Sequence, residues 1–474
     1  MRRILFLALL AGSTAELRAQ SDTVVPPGVL VALREAIADH YVTPLAQDSL
    51  GHFSTAEKML ASLHDRHTIL FSPQGLRDFQ VMAGGRFGGI GARLGVLRDT
   101  VYLSSVMAGG PAAKAGLTAF DRIVAVDGRS VVGLSVDEAV NHIRGPVGTT
   151  VRLTLRRTGK AQMSSVRRDS VSVPSIGGVA MLDGGVGVLR LRQFGPGATS
   201  ELVTAVDHLL DSGAKGLVID LRGNPGGLLE ESLGIAQLFL PAGTGLVEVR
   251  GRPSEPVQRA RAMAEPRYAK LPVALLIDGS SASAAEVLMG ALQDAHRAKV
   301  LGTQSYGKGS VQQIIPLPDG WAVKLTVARW FTPAGRGIDR GPQPANDSID
   351  LAAPHQGGIA PDVVLSADSS LAPPPAALST VPAPTWQALA ERIADWTERA
   401  TKAGASTATT DDGTAVLAGI SVPDSLTAPM ASWLAGRLTE SVMSARYGES
   451  AQEGWRLTRD GEVEAAREWM ANRL

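Results

Sequence analysis

The sequence of 474 residues contains no cysteine, few aromatic residues and no excess of either charge. The absence of cysteine excludes disulfides, thiolate catalysis, sulfur-ligated metal sites and a lipid-modified cysteine. Lysine plus arginine and aspartate plus glutamate both number 46, so there is no overall basic field of the kind that attracts nucleic acid, and we expect no nucleic-acid partner. Beyond the N-terminus, no stretch approaches the roughly 18 apolar residues of a membrane-spanning helix. The length favours about three globular domains.

The N-terminal segment has the charge and hydropathy order of a secretory signal peptide. Two arginines precede an apolar run over residues 4–11, and small and polar residues follow as far as Ala19. The apolar run is short for a membrane span. We therefore expect residues 1–20 to be a signal peptide cleaved near Ala19, and the mature protein to be exported, either periplasmic or secreted. Leu17 stands where cleavage prefers a small residue, so an uncleaved anchor is the alternative.

Residues 21–84 are predicted to form an N-terminal helical region. Apolar residues recur at helical spacing over residues 30–42, which is typical of an amphipathic helix. Ser54, followed three residues later by Glu57, predicts a capping box at the start of a further helix.

Residues 85–160 show short strands that alternate with turns and two short helical pieces, as in a small barrel-like module. The runs "DRIVAVDG", "SVDEAVNHIR" and "VGTTVRLTLRR" closely resemble a PDZ domain, so residues 85–160 are predicted to form one. In that fold the backbone N–H groups of a glycine-rich loop hold the free carboxylate of a peptide, whose last residues add a strand to the sheet edge. Here the run "FGGIG" takes the place of that loop, so Gly89, Ile90 and Gly91 are the candidate carboxylate-binding residues. Alternatively, these glycines only shape a turn.

Residues 161–366 alternate strand-like runs with helical patterns, a rhythm typical of an α/β domain built on crossover connections. A stretch rich in proline, alanine and serine follows and predicts a linker at residues 367–384. Amphipathic patterning then predicts a C-terminal helical region over residues 385–474.

The run "DGSSASAAE" at residues 278–286 concentrates small side chains between a predicted strand and a predicted helix. At such a turn, free backbone N–H groups and the helix dipole favour negative charge. A serine at a helix start is, taken alone, better explained as an N-cap.

Two further motifs favour chemistry over capping. The run "LRGNPGGLLE" at residues 221–230 also joins a strand to a helix, and its glycines can bring N–H groups close to a substrate carbonyl, the geometry that stabilises an oxyanion. The run "SYGKGSVQ" at residues 305–312 places Lys308 between two glycines near apolar strands. Because desolvation lowers the pKa of a lysine, Lys308 is a plausible general base for a serine.

Competing assignments fit these motifs less well. The run "GTQSYGKG" has the spacing of a phosphate-binding loop, but Gly309 stands where a magnesium-binding serine or threonine belongs, and a strand pattern follows. The sequence has no G-x-S-x-G nucleophile elbow. His64 and His67 lie one helical turn apart, but a histidine pair without a third ligand is more often a solvent-facing helix end than a metal site. We therefore expect neither a metal nor a cofactor.

Together these pieces resemble the C-terminal processing peptidases, also called tail-specific proteases. The resemblance runs over about residues 25–366 and is strongest over residues 214–335. It implies a crotonase-like or Clp-like α/β protease core with an inserted PDZ domain, an N-terminal helical region and a C-terminal helical extension. Asp220 and Arg222 also match family positions, and we interpret them as structural, at a strand end and as a loop brace.

The resemblance also implies the catalytic residues. The nucleophile of the family is the serine three residues before the glutamate of the small-residue motif, which is Ser283 here, and the base is the lysine between glycines, Lys308. A glutamine four residues after the lysine orients it in many members, a position that Gln312 occupies. The oxyanion hole is expected from the backbone N–H groups of Ala284 and Gly227, the latter favoured over its neighbour.

The implied function is that of a serine endopeptidase that hydrolyses peptide bonds near the C-termini of exported proteins. The PDZ domain would recognise substrate tails or gate the activity. The expected partners are protein or peptide substrates bound through their C-terminal tails, while an adaptor or activator protein and self-association through the N- or C-terminal helices are left open. The alternative is a non-catalytic peptide- or ligand-binding protein on the same fold, since fold alone does not determine function. An acyl-CoA enzyme with a similar core is disfavoured by the PDZ domain and the signal peptide.

Overall fold

The structure, a computed structural model, describes residues 24–341 apart from 46, 66, 84–87, 98, 108, 120, 158–159 and 172–173, and also residues 357–365 and 449–474. The predicted signal peptide, the predicted linker and most of the predicted C-terminal helical region lie outside the described residues. Across the described part of the chain, no helix has the length and apolar character needed to cross a membrane.

Where the structure describes it, the N-terminal region contains four helices and a short strand. Its elements are α1 (Pro27–His40), α2 (Gln47–Leu50), α3 (Ala56–Ala61), β1 (Ile69–Phe71) and α4 (Pro73–Ala83). The capping box predicted at Ser54 is wrong by one residue, because the extended backbone of Thr55 lets its hydroxyl accept the N–H of Lys58 at 3.3 Å. The prediction of helices alone also missed β1.

A small β-module follows the N-terminal region. Its elements are β2 (Gly88–Gly89), β3 (Ala92–Leu97), β4 (Thr100–Val106), α5 (Pro111–Lys114), β5 (Arg122–Val126), β6 (Arg129–Ser130), α6 (Val136–Ile143), β7 (Thr150–Arg157), β8 (Lys160–Arg167) and β9 (Asp169–Ser170). One sheet has the order β3-β4-β5-β7-β8, with β6 beside β5, and β2 pairs with β9. The paired strands thus continue past residue 160, the boundary predicted from the sequence. Alternate residues of β4 and β7 point into a separate apolar core, as expected of strands with one buried face.

The central sheet, over the described residues, consists of β10 (Ile176–Leu182), β11 (Val186–Leu191), β12 (Gly216–Asp220), β15 (Val273–Ile277), β16 (Ala298–Gly302) and β19 (Val363–Val364). These strands lie in the order β10-β11-β12-β15-β16-β19. The sheet is parallel except for the antiparallel pair of β10 and β11. Every residue of β12 and β15 is buried, which is typical of parallel strands covered on both faces.

Helices on one face of the central sheet and a second sheet complete the main core. The helices are α7 (Ala198–Asp211), α8 (Leu229–Gln237) and α9 (Ala284–Asp294). The second sheet has the order β1-β18-β13-β14 with β17 beside β18, formed by β13 (Gly245–Arg250), β14 (Gln258–Arg261), β17 (Ser310–Pro316) and β18 (Ala322–Phe331). The predicted hairpin of β17 and β18 is present, with a short 3-10 turn over residues 318–320.

The other face of the central sheet is covered by two C-terminal helices, α10 (Glu449–Leu457) and α11 (Gly461–Ala471). Leu457, Val463, Ala466 and Met470 from these helices share one apolar cluster with residues of the central strands, among them Val218. The predicted fold class is confirmed, since an α/β core follows an inserted β-module and helices lie at both ends of the described chain.

Candidate active site

Three neighbouring parallel strands end at one edge of the central sheet, and the three sequence motifs follow them. The motif with the NPGG turn leaves β12, the small-residue motif leaves β15, and the lysine loop leaves β16. Crevices at the carboxyl ends of parallel strands are where α/β folds place their functional groups. The topology therefore brings together motifs that lie about eighty residues apart in the chain.

Ser283 stands directly before α9 in a strained backbone conformation. Its φ of 58° and ψ of −117° lie outside the regions that residues with side chains ordinarily occupy, a strain that costs on the order of 1–3 kcal/mol. The side chain is largely buried. Strain of this kind persists only when surrounding contacts enforce it, and at Ser283 the contacts come from a buried carboxylate.

That carboxylate belongs to Glu286, whose side chain is fully buried and receives four hydrogen bonds. Its Oε2 accepts the backbone N–H of Ser283 at 2.7 Å and that of Lys308 at 2.8 Å. Its Oε1 accepts the N–H of Gly307 and the hydroxyl of Ser305, both at 2.6 Å. Burial raises the pKa of Glu286, and the four hydrogen bonds oppose that rise. One carboxylate oxygen thus joins the loop of the predicted nucleophile to the loop of the predicted base.

Sequence reasoning used Glu286 only to locate the nucleophile and missed this bridging role. The available signal was the presence of an acidic residue among alanines at the start of an apolar helix. A carboxylate at a helix N-terminus is stabilised by the dipole, and a buried one requires several donors.

Burial lowers the pKa of Lys308, and the nearby Glu286 carboxylate partly opposes this shift. The direction is the one that a lysine base requires, because it raises the neutral fraction near neutral pH. A second lysine, Lys324 on β18, was missed by sequence reasoning. Burial and the charge of Lys308 lower its pKa to about 8, while Asp65 opposes the shift. Its position on an apolar strand gave no sequence signal of this proximity.

Gln312 is the third residue of β17, four residues after Lys308. Its side-chain nitrogen donates to the hydroxyl of Ser310 at 2.8 Å and to that of Thr326 at 3.4 Å. These contacts fix the amide between the two strands of the hairpin. The assignment of Gln312 as the residue that orients the lysine stays a prediction.

The NPGG turn lies directly against the nucleophile. A β-carbon on Gly226 would come within 2.8 Å of the Ser283 β-carbon and 3.0 Å of the Ala284 nitrogen. Since Ala284 is the first residue of α9, its N–H has no acceptor within the helix. The turn and the helix start thus form one concave surface beside Ser283.

The two glycines of the turn use their backbone groups differently. The N–H of Gly226 donates to the side-chain oxygen of Asn224 at 2.8 Å, and its carbonyl accepts the N–H of Phe194 at 2.9 Å. Because a trans peptide points N–H and C=O in opposite directions, the N–H of Gly227 points away from Phe194. Within the described part of the chain no acceptor satisfies that N–H. Of the two glycines, Gly227 is therefore the one whose N–H is available to donate a hydrogen bond to a substrate.

Asn224 is a second residue that sequence reasoning missed. Besides holding Gly226, the buried side chain of Asn224 donates to the carbonyl of Leu191 at 2.8 Å. The backbone carbonyl of Asn224 accepts the N–H of Ala282 at 2.9 Å. Asn224 ties the turn both to the end of β11 and to the loop of Ser283. The sequence signal was an asparagine before proline and glycine, a combination typical of side-chain-stabilised turns.

The neighbouring Ser281 has its hydroxyl engaged in the backbone. It donates to the carbonyl of Leu221 at 2.8 Å and accepts the N–H of Asp278 at 3.0 Å. Ser281 is also fully buried. These contacts join the ends of β12 and β15.

Of the candidate PDZ residues, Gly89 ends β2, while Ile90 and Gly91 form the loop that leads into β3. Ile90 is buried, and Gly91 has a φ of 68°, a conformation that favours glycine. The carbonyl of Ile90 accepts the N–H of Ala112 at 2.7 Å, and that of Gly91 accepts the N–H of Met107 at 2.9 Å. The opposite ends of those two peptide planes direct the N–H groups of Gly91 and Ala92 away from these donors.

Among the residues that the structure describes, no group of three or more histidine, aspartate or glutamate side chains is arranged to hold a metal ion.

Comparison with known proteins matches two regions of the chain to known families. Residues 185–364 match peptidase family S41, and residues 102–157 match the PDZ domain. A carboxy-terminal-processing protease of Bartonella bacilliformis is 37% identical over 310 residues, covering 64% of this chain and 70% of that protein. The carboxy-terminal processing protease CtpA of Bacillus subtilis is 35% identical over 284 residues, covering 60% of each chain. Among solved structures, a photosystem II D1 C-terminal processing protease has 27% identity and a TM-score of 0.45, covering 72% of this chain and 94% of that one.

Proposed function

Because the chain belongs to peptidase family S41, among the carboxy-terminal processing proteases that carry a PDZ domain, we propose that it is a serine endopeptidase with a Ser283–Lys308 dyad. Its substrates are exported proteins with apolar C-terminal tails. The charge and hydropathy order of residues 1–20 supports an exported location, periplasmic or secreted.

In the first half of the reaction, the neutral Nζ of Lys308 accepts the proton of the Ser283 hydroxyl as Oγ attacks the scissile carbonyl carbon. The carbonyl oxygen gains negative charge and accepts hydrogen bonds from the N–H groups of Ala284 and Gly227. When the tetrahedral intermediate collapses, the C–N bond breaks and the ammonium of Lys308 gives its proton to the departing amine.

In the second half, a water molecule gives a proton to Lys308 and attacks the acyl-enzyme ester. Collapse of the second tetrahedral intermediate breaks the ester bond and returns a proton to Ser283 Oγ. Gln312 orients the lysine side chain throughout. The residues of this chain supply the nucleophile, base, acid and oxyanion donors for each step.

The observation that carries this proposal is the shared carboxylate oxygen of Glu286. It fixes the backbones of Ser283 and Lys308 at hydrogen-bond distance from one atom, and the lowered pKa of Lys308 suits a base. Holding the two groups in a fixed relation orients the base toward the nucleophile, and such orientation lowers the barrier of the reaction.

The PDZ domain is proposed to bind the free carboxylate of the substrate tail at Gly89, Ile90 and Gly91. The turn geometry of Gly91 supports this assignment, since successive N–H groups in such a turn form an anion-binding concavity. The tail would add a strand beside β3, and binding there would recognise substrates or gate the dyad.

Cleavage of an unfolded model protein with an apolar C-terminal tail tests the proposal. Wild type should cleave it, Ser283→Ala and Lys308→Met should not, and Ser280→Ala, in the same small-residue run, should retain activity. Amidation of the substrate C-terminus should raise KM, because it removes the charge that the PDZ loop binds. Cleavage by Ser283→Ala at the wild-type rate would refute the dyad, and a wild type that binds tails without cleaving any would favour the non-catalytic alternative.

A further inference from the structure

Arg222 lies between the end of β12 and the NPGG turn, and one edge of its guanidinium is bound by the last residue of the strand. Its Nε and one terminal nitrogen donate to the two carboxylate oxygens of Asp220, at 2.8 Å and 2.9 Å. Asp220 is fully buried and lies 3.6 Å from Arg190, a second guanidinium. This bidentate pair leaves the outer edge of the Arg222 guanidinium with donors still to satisfy.

The C-terminal helices supply the acceptors for that outer edge. Asp460 accepts from both terminal nitrogens of Arg222, at 3.0 Å and 2.9 Å, and Glu462 accepts a further hydrogen bond from one of them. Asp460 also begins α11, where its side chain accepts the N–H groups of Glu462 and Val463, each at 3.0 Å. The start of α11 is thus built around Arg222.

The central sheet has places shaped for these helices. A β-carbon on Gly216 would come within 2.9 Å of the Met470 side chain, and one on Gly178 within 2.4 Å of the Glu453 backbone. Arg192 also forms an ion pair with Glu453 at 2.7 Å. Glycine at the contact points and charge pairs at the sheet edge mean that the helices pack against the sheet as an integral layer.

Contacts of Arg222 continue into the turn that carries the oxyanion donor. Its carbonyl accepts from the Arg190 guanidinium at 3.1 Å, and the next N–H, that of Gly223, donates to Asp278 at 2.9 Å. Asn224 follows and holds Gly226. A displacement of Arg222 is therefore transmitted to Gly227 over a short segment that these hydrogen bonds hold in place.

We propose that Asp460 and Glu462 are positioning residues for the oxyanion hole. By fixing Arg222, the C-terminal helical pair sets the position of the Gly227 N–H relative to Ser283. This inference rests on the proposed function, because an oxyanion donor has a role only if Ser283 attacks a carbonyl. It assigns a role in the reaction to a segment more than two hundred residues away in the chain.

The test uses the full chain with the double variant Asp460→Asn/Glu462→Gln, which removes two charges and keeps the shapes of both side chains. Two controls lie on the same helix. Glu464→Gln removes a charge that pairs with Arg467 at the surface, and Met470→Ala loosens the apolar contact with the sheet without touching Arg222.

Three measurements distinguish positioning from general stability, namely kcat and KM at a temperature where all variants are folded, inhibition by a peptide aldehyde, and amide hydrogen exchange of Gly223, Asn224, Gly226 and Gly227. The double variant should lose about ten- to hundredfold in kcat, since small displacements at the reacting centre have effects of this size, with KM within about twofold. The inhibition constant of the aldehyde should rise in parallel, because its hemiacetal oxygen occupies the oxyanion hole. Exchange in the turn should be faster.

Neither control should change kcat, although Met470→Ala should lower the melting temperature. Unchanged kcat and unchanged exchange in the double variant would overturn the inference, as would an equal loss of kcat in Met470→Ala. If wild type cleaves nothing, the proposed function fails, and the exchange measurement alone still decides whether Asp460 and Glu462 hold the turn.

Discussion

At the residue scale, the site depends on Glu286, a buried carboxylate that takes no part in bond making. Replacing Glu286 by Gln puts an NH2 group where an oxygen accepts two hydrogen bonds, so at least one pair of donors loses its acceptor. We expect kcat to fall about a hundredfold through misalignment of the dyad, with a loss of about 1–3 kcal/mol in the free energy of unfolding.

The matched control for Glu286→Gln is Glu231→Gln. Glu231 also accepts several hydrogen bonds, from the N–H of Gly197 at 2.7 Å and from the N–H and hydroxyl of Thr199 at 2.8 Å and 2.6 Å, but it joins α8 to α7. Thermal unfolding and steady-state kinetics of both variants should show lower stability in each and lower kcat in Glu286→Gln alone. A Glu286→Gln enzyme with wild-type kcat would refute the bridging role.

The lowered pKa of Lys308 predicts opposite effects on activity and stability. Only the neutral amine acts as base, so kcat/KM should rise with pH and level off below the ordinary lysine value of 10.5. In the same range the unfolded chain binds more protons at this site than the folded protein, so the penalty of burying the charge is largest at low pH and disappears as pH rises. Lys308→Met should therefore be inactive but more stable than wild type, with the gain largest at low pH.

A pH–rate profile and melting temperatures at several pH values measure both effects. Lys324→Gln is the control, because burial and the charge of Lys308 lower the pKa of Lys324 to about 8. The profile of Lys324→Gln should keep a rising limb, because the proposed base is Lys308. If the rising limb disappeared in Lys324→Gln and remained in Lys308→Met, the base would be Lys324 and not Lys308.

At the element scale, the turn between β12 and α8 packs closely against two other segments of backbone. Gly226 lies against Ser283 and Gly227 lies against Phe194. Gly227 has a φ of 144°, and a β-carbon there would lie 2.4 Å from the carbonyl oxygen of Phe194. Gly227→Ala should therefore shift the turn and lower kcat by about 10²- to 10³-fold, the effect of losing one oxyanion donor. Gly243→Ala is the control, since Gly243 has a φ of 85° with open space around it and should lose only about 1–2 kcal/mol of stability. Wild-type kcat in Gly227→Ala would exclude this glycine from the oxyanion hole.

Elements with a strong local pattern could be predicted from the sequence, and others could not. The strand-turn-helix units of the three motifs and the β17–β18 hairpin follow from periodicity and turn residues that lie close together in the chain. The short strand β1 was missed because it is stabilised by pairing with β18, far away in the sequence. The cap of α3 fell on Thr55 instead of Ser54, since adjacent hydroxyl residues have similar capping preferences and the backbone decides between them.

At the scale of the whole molecule, the sequence motifs located the site but not the contacts that hold it together. Ser283, Lys308, Ala284 and Gly227 could be named because each lies in a motif that resembles one family. The bridging role of Glu286, the proximity of Lys324 and the contact of Arg222 with Asp460 depend on how separate segments meet. Contacts between segments that are distant in the chain cannot be read from a single sequence, because they depend on the strand order of the sheet.

Covalent labelling with a peptidyl phosphonate tests whether Ser283 is the nucleophile and Lys308 its base. The reagent should form one adduct per chain, mass spectrometry should place that adduct on Ser283, and the labelling rate should rise with pH along the limb of the hydrolysis profile. Lys308→Met should label at least a hundredfold more slowly than wild type, because general bases contribute about 10²- to 10⁴-fold. Labelling of another residue such as Ser281 would exclude Ser283 as the nucleophile, and labelling of Ser283 in Lys308→Met at the wild-type rate would exclude Lys308 as its base.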